Sequence, residues 1–137
     1  MVFAGLNLTA RDFAKLGELS RNKGRCGGVQ ILPENWVSAS TRPDGAHVAP
    51  GMLFARDGER VPLGYGYQWW ILPGAREQFK AMGVYNQFIF FDPSRGLVIV
   101  KLSANPAYGT SPGEETNKSY ENVSALEAIA QSFDGHR

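Results

Sequence analysis

The side chains of this sequence that can attack a carbonyl or relay a proton are few and widely spaced. His47 stands in a stretch rich in Gly, Pro, Arg and Asp, and His136 is next to last. A serine nucleophile needs a base within hydrogen-bond reach, held in turn by a third group. No Gly-x-Ser-x-Gly elbow presents such a serine, so His47 reads as a solvated loop residue. Cys26 is the sole cysteine, which rules out an intrachain disulfide and a zinc site built on several thiolates. Neither a paired-histidine metal motif nor a G-x-x-x-x-G-K-[ST] phosphate loop occurs, and Gly27-Gly28 reads as a turn. The residues imply no metal and no cofactor.

Recognition chemistry is better represented. Tyr65, Tyr67, Trp69 and Trp70 can line a pocket for an apolar or amide ligand. Strand alternation would put Tyr65, Tyr67 and Trp69 on one face and Gln68 and Trp70 on the other, which favours core or interface roles. The stretch Ala81-Met82-Gly83-Val84-Tyr85-Asn86-Gln87 carries a glycine turn, a tyrosine and two amides straight into the aromatic run Phe88-Ile89-Phe90-Phe91. It is either the wall of a binding cleft or a well-packed hairpin. Met82, Gly83, Val84, Tyr85 and Gln87, with Tyr67 and Trp69, are the candidate cleft residues for a small-molecule ligand.

These residues need a frame. Thr9-Ala10-Arg11-Asp12 resembles a capping box, with Leu8 and Phe13 placed as a hydrophobic staple, and predicts a helix over about 10–22. Pro33 suits the first turn of a short second helix with Trp36 and Val37 facing inward. Residues 40–62 lack periodicity and read as a long surface loop. Three strand segments follow: 65–71, ending at Pro73-Gly74; 79–91, broken near Gly83; and the apolar run 97–102, covered on both faces. Asp92 to Gly96 is a five-residue turn. Tyr120, Val123, Leu126, Ile129, Ala130 and Phe133 recur at spacings of three and four, an amphipathic helix over about 118–133 that needs the sheet face to cover. The expected fold class is α+β: an antiparallel sheet of at least three strands, an N-terminal helix, a short second helix and a C-terminal helix packed on the sheet.

At 137 residues the chain has the length of one domain, so 1–137 is read as a single domain. Fourteen basic and thirteen acidic residues leave it almost neutral, which gives no electrostatic reason for nucleic acid or an anionic membrane as partner. The run Arg21-Asn22-Lys23-Gly24-Arg25 fits a solvated helix C-terminus. No stretch approaches the roughly 20 apolar residues of a membrane span, and the first residues do not have the pattern of a signal peptide. As written, the chain is expected to be soluble; its compartment is not legible.

The succession "GLNLTARDFAKLGELSRNKGRCGGVQILPENWV", "LGYGYQWWI" and "MGVYNQFIFFDPSRGLVIVKLSAN" resembles the C-terminal part of the serine hydrolases related to class C β-lactamases, penicillin-binding proteins and nylon-oligomer hydrolases. The resemblance covers about residues 5–133 and rests on the order of segments. It implies that the three strands are the C-terminal half of a five-stranded antiparallel sheet. It also implies that Gly83-Val84-Tyr85-Asn86-Gln87 corresponds to the family's G-x-x-G-Q-like segment, with Asn86 in place of the second glycine. In the family this strand borders the substrate and contributes to the oxyanion hole.

The family's S-x-x-K element is absent: none of Ser20, Ser38, Ser40, Ser94, Ser103, Ser111, Ser119, Ser124 and Ser132 has a lysine three positions on. A Tyr-x-Asn element is absent too, and Tyr85-Asn86 lacks the spacer. The expectation is a partial serine hydrolase domain, inactive alone. The alternatives are a stand-alone binding or structural module and one half of a split amide or ester hydrolase. The resemblance further implies an unpaired outer edge on 97–102, hence a homo-oligomer formed through an exposed sheet edge or face.

Overall fold

The computed structural model describes residues 5–54, 58–111 and 113–133. Helix α1, Ala10–Arg21, starts at Thr9, whose Oγ1 accepts the Asp12 backbone N–H at 3.2 Å while its hydroxyl donates to the Asp12 carboxylate at 2.8 Å. The helix ends in left-handed backbone at Lys23 and Gly24, where the Gly24 N–H donates to the Leu19 carbonyl at 2.8 Å. A small hairpin of β1 (Arg25–Cys26) and β2 (Val29–Gln30) follows, then α2, Glu34–Ser40. A second small hairpin joins β3 (Leu53–Phe54) to β4 (Arg60–Val61).

The frame of the molecule is a five-stranded antiparallel sheet in chain order: β5 (Gly64–Gly66), β6 (Trp69–Ile71), β7 (Phe79–Gly83), β8 (Gln87–Asp92) and β9 (Leu97–Lys101). The centre of β8, Phe88-Ile89-Phe90-Phe91, is apolar without interruption because it is buried on both faces. On one face Phe79 stacks on Phe91 at 4.4 Å with Trp69 edge-on to both, and Phe13 and Leu16 of α1 close over them with Val98 and Val100. On the other, Phe88 and Phe90 pack with Leu63 and Leu72 under helix α4 (Ser119–Ser132), which contributes Val123, Leu126 and Ala130. Each such large side chain removed from water contributes on the order of 1.5–3 kcal/mol. A short helix α3, Glu114–Asn117, precedes α4 and is separated from it by Lys118 in left-handed backbone.

Helix α1 lies unusually close to β9. A Cβ at Gly17 would stand 2.4 Å from Val98 Cγ1, so only glycine admits this approach.

The α+β class and the helix-covered sheet are as expected from the sequence, while several local expectations are corrected. The five strands β5–β9 of this sheet all come from this chain, two more than the minimum expected. Residues 65–71 are not one strand: Tyr67 and Gln68 both have positive φ, at 47° and 71°, and turn the chain so that Gly66 pairs with Trp69 and Tyr65 with Trp70. This is the geometry of a two-residue hairpin turn, formed here without the glycine or asparagine that usually announces it. The segment 40–62 carries the β3–β4 hairpin and a helical turn at Ala46–Val48 rather than a featureless loop. Trp36 faces outward at 49% exposure, whereas Val37 is buried. On α4 the buried stripe is Val123, Leu126 and Ala130; Tyr120 and Ile129, and Phe133 just past its end, are exposed, so the expected stripe is only partly covered.

Candidate functional site

In an antiparallel sheet every second connection falls at the same end. The β5–β6 tip at Tyr67-Gln68, the β7–β8 tip at Val84–Asn86 and the chain leaving β9 therefore share one end of this sheet. Continuing the β6–β7 register brings the Tyr67-Gln68 tip level with Met82 and Gly83.

The β7–β8 tip is closed by the pair Gly83 and Gln87. Between them Tyr85 and Asn86 both take left-handed backbone, with φ of 61° and 66°. Such a conformation costs an ordinary L-residue about 1–2 kcal/mol and suits glycine or asparagine best, so Asn86 occupies a position whose backbone calls for one of those two. Two donors pin the turn from the β9 side: Lys101 Nζ donates to the Asn86 carbonyl at 3.1 Å, and the Asn105 N–H donates to the Tyr85 carbonyl at 3.3 Å. The side chains of Val84 and Tyr85 project outward, 58% and 50% exposed, and the Tyr85 ring lies 6.0 Å from that of Tyr108. Asn86 is buried, and its Oδ1 has no hydrogen-bond partner among the described residues.

The seven residues singled out in the sequence divide between rim and interior. Gly83, Val84, Tyr85 and Gln87 form the β7–β8 tip, and Tyr67 forms the neighbouring tip, edge-on to Trp36 at 6.4 Å. Met82 packs into the core beneath α4, and Trp69 packs on the opposite face, edge-on to the stacked pair Phe79 and Phe91. Trp36, Lys101, Asn105 and Tyr108 belong to the same end but gave no sequence signal, since each arrives from a segment without a motif. His47 lies in the helical turn Ala46–Val48, and His136 lies outside the described residues. No group of three His, Cys, Asp or Glu side chains gathers among the described residues. The end of the sheet thus offers shape, aromatic surface and backbone polar groups, with no nucleophile and base in contact among the described residues.

The opposite end is locked by charge. Asp92 is fully buried and accepts from Gln78 Nε2 at 2.6 Å, Ser94 Oγ at 2.5 Å, and both the backbone and the guanidinium of Arg95. Burial alone would raise its pKa, but these donors outweigh burial and hold the carboxyl below the usual range.

No family model matches the chain. It is 32% identical over 103 residues to the 6-aminohexanoate-dimer hydrolase of Paenarthrobacter ureafaciens, a match covering 74% of this chain and 26% of that protein. A solved structure from Bacillus anthracis, provisionally described as a 6-aminohexanoate-dimer hydrolase, superposes over 94% of this chain with a TM-score of 0.66 and 31% identity. The chain is homologous to 6-aminohexanoate-dimer hydrolases. The resemblance to nylon-oligomer hydrolases and their β-lactamase-like relatives rests on both sequence and fold. The chain spans about a quarter to a third of the length of these relatives. Among the described residues, no helix is long and apolar enough to cross a membrane.

Proposed function

We propose that residues 81–87 are the backbone wall of the acyl-binding cleft of an amide- or ester-hydrolysing serine enzyme, and that these 137 residues do not turn over substrate by themselves. The observation that carries this reading is the β7–β8 tip: a strand ending in Gly83, a turn held in left-handed backbone at the position of the family's second glycine, and exposed Val84 and Tyr85 beside it. A wall of this kind aligns a carbonyl and stabilises developing negative charge, while the serine and lysine of S-x-x-K are supplied from outside these residues, by a longer chain or a second polypeptide. Incubating the chain with a chromogenic β-lactam, aryl esters and a covalent serine probe is expected to give neither turnover nor labelling. Turnover abolished by one serine substitution would overturn the proposal. Joining the chain to a segment bearing S-x-x-K is expected to restore activity.

A second reading is a stand-alone binding module. It is favoured by the two exposed aromatic pairs at one end of the sheet, Trp36 with Tyr67 and Tyr85 with Tyr108. A true ligand at a hundred times its Kd would add about 2.7 kcal/mol to stability, so a thermal-shift screen of amides and carbohydrates tests it; an empty screen counts against it.

We also propose self-association through β9. This strand ends the sheet, is rich in β-branched residues, and makes no backbone bond to its outer edge among the described residues. At the other border, the Asp44 N–H caps the Tyr65 carbonyl at 3.3 Å.

A further inference from the structure

Lys80 sits at the centre of the sheet in a cross-strand row that runs Tyr65, Trp70, Lys80, Phe90, Ile99. It has no solvent exposure, and its Nζ has no hydrogen-bond partner among the described residues. The row lies on the face covered by α4, whose Val123, Leu126 and Ala130 close over Phe90. An ammonium group there has given up water and received no donor-acceptor contact in return, which is costly in any apolar layer.

The charged and titratable groups around it are few. From α4, half-buried Glu127 faces Lys80 and favours its charged form. From β8, Asp92 lies two residues beyond Phe90 on the same face, but Gln78, Ser94 and Arg95 occupy it. From β5, the Tyr65 phenol belongs to the same row; β6 contributes Trp70 and β9 contributes Ile99, neither of which titrates. Desolvation outweighs the attraction of Glu127 and pushes the Lys80 pKa down to about 7.

We propose that α4 is a proton-gated cover: charging Lys80 weakens the hold of this helix on the sheet, and loss of that proton seals it. The direction follows from linkage. With α4 lifted, Lys80 regains water and an ordinary lysine pKa near 10.4. The open form therefore binds the proton more tightly than the closed form, and the opening equilibrium grows as pH falls from about 10 toward 7. Below about 7 both forms carry the proton and the effect levels off. Local opening of one packed element at much less than the global unfolding cost is the ordinary route for such motion.

Thiol trapping of the whole chain tests this, using Val123→Cys, a buried α4 position, in a Cys26→Ser background, with rates normalised to the unfolded chain. The opening constant is expected to rise by about tenfold per pH unit on lowering pH from 9.5 toward 7 and then to flatten. Lys80→Met is expected to give a flat, low profile. Glu127→Gln, which leaves the packed row intact, is expected to extend the sloping region to lower pH, because it removes a charge that supports protonated Lys80. A flat profile in the parent, an unchanged slope in Lys80→Met, or a flattening point that Glu127→Gln fails to lower would overturn the proposal.

Discussion

Gln78 Nε2 donates to Asp92 Oδ2 at 2.6 Å, joining the start of β7 to the end of β8 through two buried side chains. Arg95 reaches the same carboxylate from the β8–β9 turn, and its side chain is itself only 7% exposed. One carboxylate thus satisfies donors from the start of β7 and from the β8–β9 turn, and removing it leaves the buried Gln78 amide and the Arg95 guanidinium each short of an acceptor.

Asp92→Asn is expected to cost about 3–5 kcal/mol, the range for breaking a buried ion pair by removing one of its charges. Urea unfolding at neutral pH checks the figure. The folded-state pKa of Asp92 lies below its unfolded value, so its stabilisation is fully present above about pH 4 and is lost as pH falls through the folded value. The acid limb of the stability profile should accordingly be shallower in Asp92→Asn than in the parent.

Gly17→Ala should destabilise the chain by about 1–3 kcal/mol, although alanine is the better helix former by about 1 kcal/mol. The added methyl group meets Val98 Cγ1 at 2.4 Å. Val98→Ala opens space at that contact, so the double variant should recover part of the loss. Strictly additive effects in a double-mutant cycle would show that the contact is not the cause.

At the β5–β6 tip, Gln68→Gly is expected to stabilise the chain by about 1 kcal/mol, by relieving left-handed backbone at a non-glycine residue. Tyr67→Asn should be close to neutral, since the same relief is offset by loss of the edge contact with Trp36. Thermal melts of the two variants separate backbone strain from ring packing.

Light scattering should detect dimers or larger species at high concentration if β9 pairs with another copy. A clean monomer across the accessible range would remove the edge-pairing proposal.

The elements whose residues answer to one dominant force were legible in the sequence. Helix α1 was visible because Thr9 caps it and Phe13 and Leu16 repeat at its inner face, and β8 and β9 because continuous apolar runs leave few other solutions. The β5–β6 hairpin was not legible, because Tyr67 and Gln68 adopt φ values that their side chains do not favour; tertiary packing overrides local preference there. The candidate rim was partly legible: Gly83, Tyr85 and Gln87 belong to one stretch, whereas Trp36, Lys101, Asn105 and Tyr108 join it only through the topology of the sheet. The burial of Lys80 had no sequence signature, since an isolated lysine in a strand ordinarily reads as a solvent-facing position.

The two ends of the sheet differ in what they tolerate. At the end around Asp92 each side chain is fixed by several others, so a change of residue must be matched by a compensating change. At the end around Tyr67, Val84 and Tyr85 the side chains reach into solvent, so these tips can exchange sequence while the layers beneath keep their register. New specificity can therefore evolve at one end of this scaffold without renegotiating the contacts that fold it.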